Sequence, residues 1–197
     1  MDDAVVRALA KWPTVPAAYG WLALDRRGRW SIKGERIGNA ALVEFIGRNY
    51  EPDERGRWFF QNGPQRVFVR LEYTPYVLRT EPATSGLALR THTGMPVRPR
   101  AAWLDDAGNL LVEFGDSVGV VHGQDLAAAL SCLRDASGAG LSDDALEALL
   151  QGGSRAPVAT LAAAAGPVPV GRIGAAEVAA RFGFDPDPRP APGEPEC

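Results

Sequence analysis

Residues 57–67 carry the clearest structural pattern of the sequence and read Arg57-Trp58-Phe59-Phe60-Gln61-Asn62-Gly63-Pro64-Gln65-Arg66-Val67. Bulky β-forming residues precede the Asn-Gly-Pro triplet, and an alternating pattern follows it as far as residue 72. Asn-Gly supplies the positive φ that a tight turn needs, and the proline stiffens the turn. The pattern therefore predicts a hairpin with strands at 57–61 and 65–72. Alternation places Trp58 and Phe60 on one face, which we expect to be the core face.

Similar patterns on both sides of this hairpin predict more strands. Two further hairpins are expected, at 19–24 with 29–32 and at 101–104 with 110–114. Single strands are expected at 76–79, 87–91 and 118–121. Alternation along the first hairpin predicts that Trp21 and Trp30 are buried.

Helical spacing and capping residues predict the helices. They are expected at 3–11, at 39–49 after the cap Asn39, at 125–134 after the cap Asp125, at 143–150 after the cap Ser142, and more weakly at 158–165 and 175–182. Together with the strands they indicate an α+β fold. We expect antiparallel hairpins that form one or two small curved sheets, covered by the helices at 39–49 and 125–134.

The distribution of large aromatic residues divides the chain. All five tryptophans and all four tyrosines precede residue 104, whereas half of the 16 prolines fall from residue 157 onward. Because aromatic side chains dominate core burial, we expect an α+β core domain at 1–135, with possible subdomains at about 1–80 and 81–135. An Ala/Gly/Pro-rich helical appendage is then predicted at 136–184, and a disordered tail at 185–197.

A short turn pattern recurs. Leu-Asp-x-x-Gly occurs at 24–28 and again at 104–108, and Asp53-Glu54-Arg55-Gly56 before Arg57-Trp58 echoes the first copy. Many β-hairpins share such a polar turn with a glycine, so the pattern indicates hairpins rather than a solenoid repeat.

Composition and charge exclude several classes of function. The 197 residues carry a net charge of −3, so the chain lacks the basic signature of a nucleic-acid-binding protein, although residues 1–79 carry +4. Two cysteines, Cys132 and Cys197, and two histidines are too few and too scattered for a disulfide framework or a metal site. The pattern of a secretory signal and a long apolar run are both missing, so we expect a soluble cytoplasmic protein without membrane contact. We predict no cofactor.

Several of these motifs together resemble a known family. Tyr19-Gly20-Trp21-Leu22, Gly28-Arg29-Trp30, Asn49-Tyr50 and the run from Gly56 to Val67 are similar to an uncharacterised proteobacterial family of unknown function. The order of parts over about 12–130 is more distantly similar to a second uncharacterised bacterial family. The resemblance implies an α+β domain of small twisted sheets and implies no activity.

The central hairpin tip holds the main candidate site. Gln61, Asn62, Gln65 and Arg66 place three carboxamides and a guanidinium around one loop, which could recognise a planar polar ligand. The same residues are also ordinary turn chemistry. Arg66 shares a strand face with Phe68 and Arg70, and Glu72 can pair with only one arginine at a time. We therefore predict that Arg66 anchors a carboxylate or phosphate.

A catalytic histidine is the alternative. His92 follows a predicted strand and could act as a general base if Glu72 or Asp116 oriented it. His122 is expected to belong to the entry of the 125–134 helix. The leading interpretation is a non-enzymatic domain that binds a small polar or anionic ligand, or a protein partner, near residues 61–66. The sequence leaves the oligomeric state open.

Overall fold

The computed structural model of the chain describes residues 1–12, 15–151 and 159–193. Contacts group the chain into two compact units, Met1–Pro75 with Gly183–Cys197, and Tyr76–Phe182. The helices are short: α1 (Asp3–Lys11), α2 (Ala40–Arg48), α3 (Leu126–Leu130), α4 (Asp143–Gln151) and α5 (Val178–Phe182), the last preceded by a 3₁₀ turn at Ala175–Glu177. The expected caps Asn39 and Ser142 accept from the main-chain N–H of Leu42 and Ala145.

The first unit holds a six-stranded sheet. Its strands are β1 (Ala18–Leu24), β2 (Trp30–Ile32), β3 (Glu35–Arg36), β4 (Tyr50–Pro52), β5 (Trp58–Asn62) and β6 (Gln65–Leu71). The spatial order is β3-β2-β1-β6-β5-β4, and β1 runs parallel to β6 while the other neighbours are antiparallel. The predicted hairpin at 57–67 is confirmed as β5 and β6.

The second unit holds a nine-stranded sheet. Its strands are β7 (Tyr76–Glu81), β8 (Ala88–Thr91), β9 (Pro96–Val97), β10 (Ala101–Asp105), β11 (Leu110–Phe114), β12 (Ser117–Val121), β13 (Leu133–Arg134), β14 (Ala159–Ala163) and β15 (Gly166–Ile173). The order is β13-β14-β15-β10-β11-β12-β7-β8-β9. The pairs β7–β12 and β10–β15 are parallel.

The α+β class is therefore correct, but the sheets differ from the expectation. They are large and mixed, because each three-stranded meander joins its neighbour through a parallel pair that no turn signal announces. The helix expected at 158–165 is wrong: residue 158 lies outside the described part, and 159–163 form β14, paired with β15. The helix expected at 125–134 is shorter, since residues 133–134 form β13. The described part of 136–184 thus contains the strands β14 and β15 as well as the helices α4 and α5.

The start of the predicted tail is attached to the first unit. Asp185 donates its main-chain N–H to the Gly56 carbonyl at 3.0 Å, and Leu71 donates to the Pro186 carbonyl at 2.8 Å. Residues 186–193 contain no helix or strand, and the last four residues of that tail, 194–197, lie outside the described part. The domain boundaries at about 80 and 135 stay a prediction, because grouping residues by their contacts does not show which parts fold independently.

The core of the first unit explains why the central hairpin forms. Trp58 and Phe60 are buried on one face of β5, as predicted, and Trp58 lies against the Tyr50 ring at 4.7 Å. Phe59, on the opposite face, is also buried and packs with Tyr19 and Phe68. Strand β5 is therefore covered on both sides.

One turn design recurs in both units. In each copy an aspartate Oδ1 accepts from the second and fourth following N–H groups, and the glycine three residues on closes the turn with positive φ. The copies begin at Asp25, Asp53, Asp105 and Asp135. The recurring pattern in the sequence is thus an aspartate-capped hairpin turn.

Candidate functional site

One tryptophan of β1 faces away from the core. The pairing of β1 with β6 shifts register between Ala18 and Leu22, and Gly20 within the shift has a φ of +70°. From Trp21 to Leu24 the strand alternates, with Leu22 and Leu24 buried and Trp21 40% exposed. The prediction that alternation buries Trp21 is therefore wrong, because the core lies on the face of Leu22 and Leu24. Trp30, on the regular strand β2, is buried as predicted.

The exposed indole is held by a neighbouring lysine. The Lys33 Nζ lies 4.1 Å from the centre of the Trp21 ring, a cation–π contact. The Lys33 N–H also donates to the Trp21 carbonyl at 2.7 Å. Trp21 is thus an ordered aromatic wall.

The pairing register of β2, β1 and β6 brings three more residues together on the surface next to Trp21. Ala23 of β1 pairs with Ser31 of β2 on one side and with Arg70 of β6 on the other. The flanking residues Leu22 and Leu24 are buried on the opposite face. Ala23, Ser31 and Arg70 therefore lie side by side on one surface, which we call the β1–β6 groove.

The groove has two adjoining lobes, which share Ala23, Ser31 and Arg70. The larger lobe, about 550 Å³, is also lined by Tyr19, Gly20, Trp21, Leu22, Gly34 and residues 187–190 of the C-terminal segment. The smaller lobe, about 270 Å³, is also lined by Leu24, Asp25, Leu71 and Glu72. Arg70 is thus common to both lobes.

Arg70 is the exposed cation at the centre of the groove. Within the described part of the chain its guanidinium makes no hydrogen bond and no ion pair. The other arginine of the larger lobe, Arg189, is bound to Asp187 at 2.5 Å. Glu72 accepts from the Arg26 main-chain N–H at 3.1 Å and lies 3.8 Å from the Arg26 guanidinium, so it pairs with neither Arg66 nor Arg70.

The aromatic face beside the groove is built around a buried arginine. Arg57 binds Asp53 at 2.7 Å, donates to the Tyr19 hydroxyl at 3.3 Å and lies 4.6 Å over the Phe68 ring. Tyr19 and Phe68 stack with their centres 4.5 Å apart. Because this arginine is paired and enclosed, its role is to support the groove wall at Tyr19.

Of the four predicted residues at the hairpin tip, two are hydrogen-bonded to main-chain carbonyls and two are exposed. Gln61 is only 1% exposed and donates to the Gly63 carbonyl at 3.0 Å, and Gln65 donates to the Pro16 carbonyl at 3.1 Å. Asn62 and Arg66 are exposed, and the Arg66 guanidinium lies 4.6 Å over the Phe59 ring. Neither lobe of the groove contains any of the four. Ligand binding at this tip stays a prediction.

The histidines lie in the second unit. His92 Nδ1 accepts from the Val77 N–H at 3.2 Å, and its ring centre lies 5.9 Å from that of Tyr76, a phenol whose pKa is raised by burial to about 12. Asp116 is exposed at the turn between β11 and β12. Catalysis by His92 stays a prediction.

The entry of α3 is confirmed as the place of His122, with one correction. His122 Nδ1 accepts from the Gln124 N–H at 3.1 Å. Asp125 stands at the expected cap position, but its carboxylate binds Arg79 at 2.5 Å and the Thr80 N–H at 3.1 Å instead of capping the helix.

The groove residues Trp21 and Arg189 were absent from the predicted site. Alternation along β1 with Leu22 and Leu24 as the core positions could have pointed to the outward indole. Arg70 appeared only as the face partner of Arg66. No local signal marks Arg189, because its position depends on docking of the C-terminal segment.

The described ranges show neither a metal-binding cluster nor a membrane-spanning helix. Over the described ranges, no cluster of three or more histidine, cysteine or carboxylate side chains is arranged to hold a metal ion. The helices in those ranges are all too short or too polar to span a lipid bilayer.

Comparison with solved structures shows a related fold. A crystal structure of a DUF1285 family protein from Silicibacter pomeroyi DSS-3 is similar with a TM-score of 0.52 at 15% identity, over 86% of this chain and 95% of that one. A DUF1285 family protein from Shewanella baltica OS155 gives a TM-score of 0.42 at 16% identity, over 53% of this chain and 86% of that one. At such identities the first likeness indicates the fold alone.

Comparison of sequences identifies the family. No curated protein matches the chain. Residues 1–189 match the family DUF2944, whose description reads "Protein of unknown function (DUF2946)". Since the match covers almost the whole sequence, this chain belongs to the DUF2944 family, a family of unknown function.

Proposed function

We propose that this protein is a non-enzymatic binding domain that takes a small anionic ligand in the β1–β6 groove, with Arg70 as the anchor. The observation that carries the proposal is the exposed guanidinium at the centre of a concave surface, without an ion pair among the described residues. A planar guanidinium presents parallel donors that match a carboxylate or phosphate, which makes it a suitable anchor for such groups.

The surroundings of Arg70 support a ligand site rather than a solvated surface arginine. Trp21 is exposed on the groove face and lies against Lys33, so the groove has an aromatic wall beside its cation. Pockets for small molecules combine apolar walls with a few polar anchors.

The proposal keeps the predicted ligand class but moves the site from the hairpin tip to the groove. At the tip, the amides of Gln61 and Gln65 donate to main-chain carbonyls. Arg66 remains exposed, on the same strand face as Arg70 and four residues before it. Substituting each arginine in turn therefore distinguishes binding in the groove from binding at the tip.

The test is an NMR titration of the ¹⁵N-labelled protein with acetate, inorganic phosphate and benzoate in turn. We expect shifts at the amides of Ala23, Ser31 and Arg70, and loss of these shifts in Arg70→Ala. The control Arg66→Ala keeps them. Shifts that survive Arg70→Ala but vanish in Arg66→Ala would place the site at the tip and contradict the groove. No shift with any of the anions in the unsubstituted protein also overturns the proposal.

A further inference from the structure

The two lobes of the groove differ in charge, and this difference bears on the class of ligand. We infer that the ligand is a zwitterion with an aromatic ring, of the kind represented by an aromatic α-amino acid. This inference rests on the proposed function, because it uses Arg70 as the anchor for the carboxylate. It adds a place for an ammonium group and a place for the ring.

The larger lobe suits a carboxylate and a ring. Its charged groups are Arg70, which has no ion pair in the described chain, and the bound pair of Arg189 with Asp187. Its apolar walls are Trp21, Pro188 and Pro190. Aromatic and proline side chains pack well against a flat ring, and the indole gains from offset stacking.

The smaller lobe suits a cation. Beyond Arg70 its charged residues are the two acids Asp25 and Glu72. Glu72 faces the neighbouring Arg26, with an N–O distance of 3.8 Å, which offsets part of its charge. Asp25 uses Oδ1 to accept from the N–H groups of Arg27 and Arg29, and Oδ2 accepts from no described group. One carboxylate oxygen is therefore available to a donor.

The arrangement of the lobes matches the connectivity of an α-amino acid. Both lobes meet at Ala23, Ser31 and Arg70, so a carboxylate on Arg70 lies where they join. In an α-amino acid the carboxylate and the ammonium are attached to one carbon. The ammonium can therefore enter the acidic lobe while the side-chain ring enters the lobe lined by Trp21.

The experiment compares four probes by calorimetric or NMR titration of the full chain. L-Phenylalanine carries all three features; 3-phenylpropanoate lacks the ammonium, 2-phenylethylamine lacks the carboxylate, and L-alanine lacks the ring. We expect L-phenylalanine to bind about tenfold more tightly than each of the others, the usual order for loss of one hydrogen-bonded charged group or one stacked ring.

Two variants assign the features to residues. Asp25→Asn keeps an Oδ1 acceptor for the turn and should remove most of the advantage of L-phenylalanine over 3-phenylpropanoate. Trp21→Ala should remove most of its advantage over L-alanine. A circular dichroism melt compares the fold of each variant with that of the unsubstituted protein.

The outcomes distinguish this inference from the proposed function. If 3-phenylpropanoate binds as tightly as L-phenylalanine and both are lost in Arg70→Ala, the zwitterion is wrong and the anion site stands. If L-phenylalanine binds equally well to Arg70→Ala, the anion site itself is wrong, and the zwitterion inference falls with it. An unchanged preference for L-phenylalanine in Asp25→Asn overturns the assignment of the ammonium to the acidic lobe.

Discussion

The parallel pair β1–β6 of the first unit and the parallel pair β7–β12 of the second have the same construction. In each, the first strand of one meander lies beside the last strand of the next. The two pairs also end alike: Glu72 donates its N–H to the Leu24 carbonyl at 3.0 Å, and His122 donates to the Leu78 carbonyl at 2.8 Å. Positions in the two pairs can therefore be matched residue by residue.

The matched positions differ where the groove lies. At the position one residue before the last pair of each parallel ladder, Ala23 pairs with Arg70 in the first unit and Val77 pairs with Val120 in the second. Arg70 is exposed, whereas Val120 is only 3% exposed. The shared topology thus accepts a buried valine at this position and has no need of an arginine. The parallel pairing therefore does not require an arginine at position 70, and the reason for Arg70 lies in the surface that it occupies.

The largest expected effect comes from placing the arginine where the second unit has its valine. Val120→Arg puts a cation into a site that is closed to water, and an uncompensated buried charge costs about 3–5 kcal/mol of unfolding free energy. Urea denaturation followed by circular dichroism measures the loss. A loss under about 1 kcal/mol would show that the β12 face opens to water as the groove does. That result would contradict the contrast between a buried position 120 and an exposed position 70.

A second effect distinguishes the aspartate turns of the two units. Gly56 and Gly108 both have positive φ, but a Cβ on Gly56 would lie 2.0 Å from the Gly183 carbonyl oxygen, whereas a Cβ on Gly108 meets nothing within 4 Å. Gly108→Ala should cost about 1–2 kcal/mol from backbone strain alone. Gly56→Ala should cost about 3 kcal/mol, because overpacking is added and displaces the segment that begins at Gly183.

Limited proteolysis provides the second measurement for this pair. We expect chymotrypsin to cleave after Phe184 earlier in Gly56→Ala than in Gly108→Ala, since only the first substitution detaches the segment. Equal stability losses and equal cleavage would mean that the contact at Gly56 contributes nothing to docking.

A third effect concerns the paired arginine of the second unit. The hydrogen bond from Arg79 holds the pKa of Asp125 below its ordinary value of 3.8. A carboxyl whose pKa is lower in the folded state stabilises the fold above its unfolded pKa, and that contribution is lost as the pH falls through the folded pKa. Asp125→Asn should therefore cost about 1 kcal/mol at pH 7 and less at pH 3. Urea midpoints at both pH values test this, and an equal loss at both would contradict it.

The smallest effect is expected at Arg70 itself. Arg70→Val installs the residue that the second unit carries, and because Arg70 has no ion pair among the described residues, stability should change by less than about 0.5 kcal/mol. Binding of the anion probes should disappear in the same variant. A loss of more than about 1.5 kcal/mol would instead give Arg70 a structural role and remove the support for the groove as a ligand site.

Much of the local structure could be predicted, for reasons that lie within a few residues. The hairpin at 57–67 follows from its Asn-Gly turn and flanking alternation, and α1 was expected over the residues it occupies. The strand β14 could not be predicted as readily, because Ala159–Ala163 suits a helix until β15 and β13 pair with it. Tertiary hydrogen bonding there overrides local propensity.

The candidate site was less predictable than the fold. Gln61 and Gln65 looked like ligand contacts because amides near a turn suggest exposure, yet their partners are carbonyls that only the folded chain brings near. Arg70 could be placed on the correct strand face by alternation, together with Arg66. Its position in a groove depends on β1 as its parallel neighbour, and its partner there, Ala23, lies 47 residues away in the chain.

Local interactions explain the aspartate turns with their glycines, the helix caps at Asn39 and Ser142, and the burial of Trp58 by alternation along its strand. Long-range contacts instead set which strands run parallel, which face of β1 meets the core, and that Arg70 stands between two lobes of different charge. Turn and cap hydrogen bonds close within about five residues, whereas the groove is made by strands and a C-terminal segment that lie far apart in the sequence.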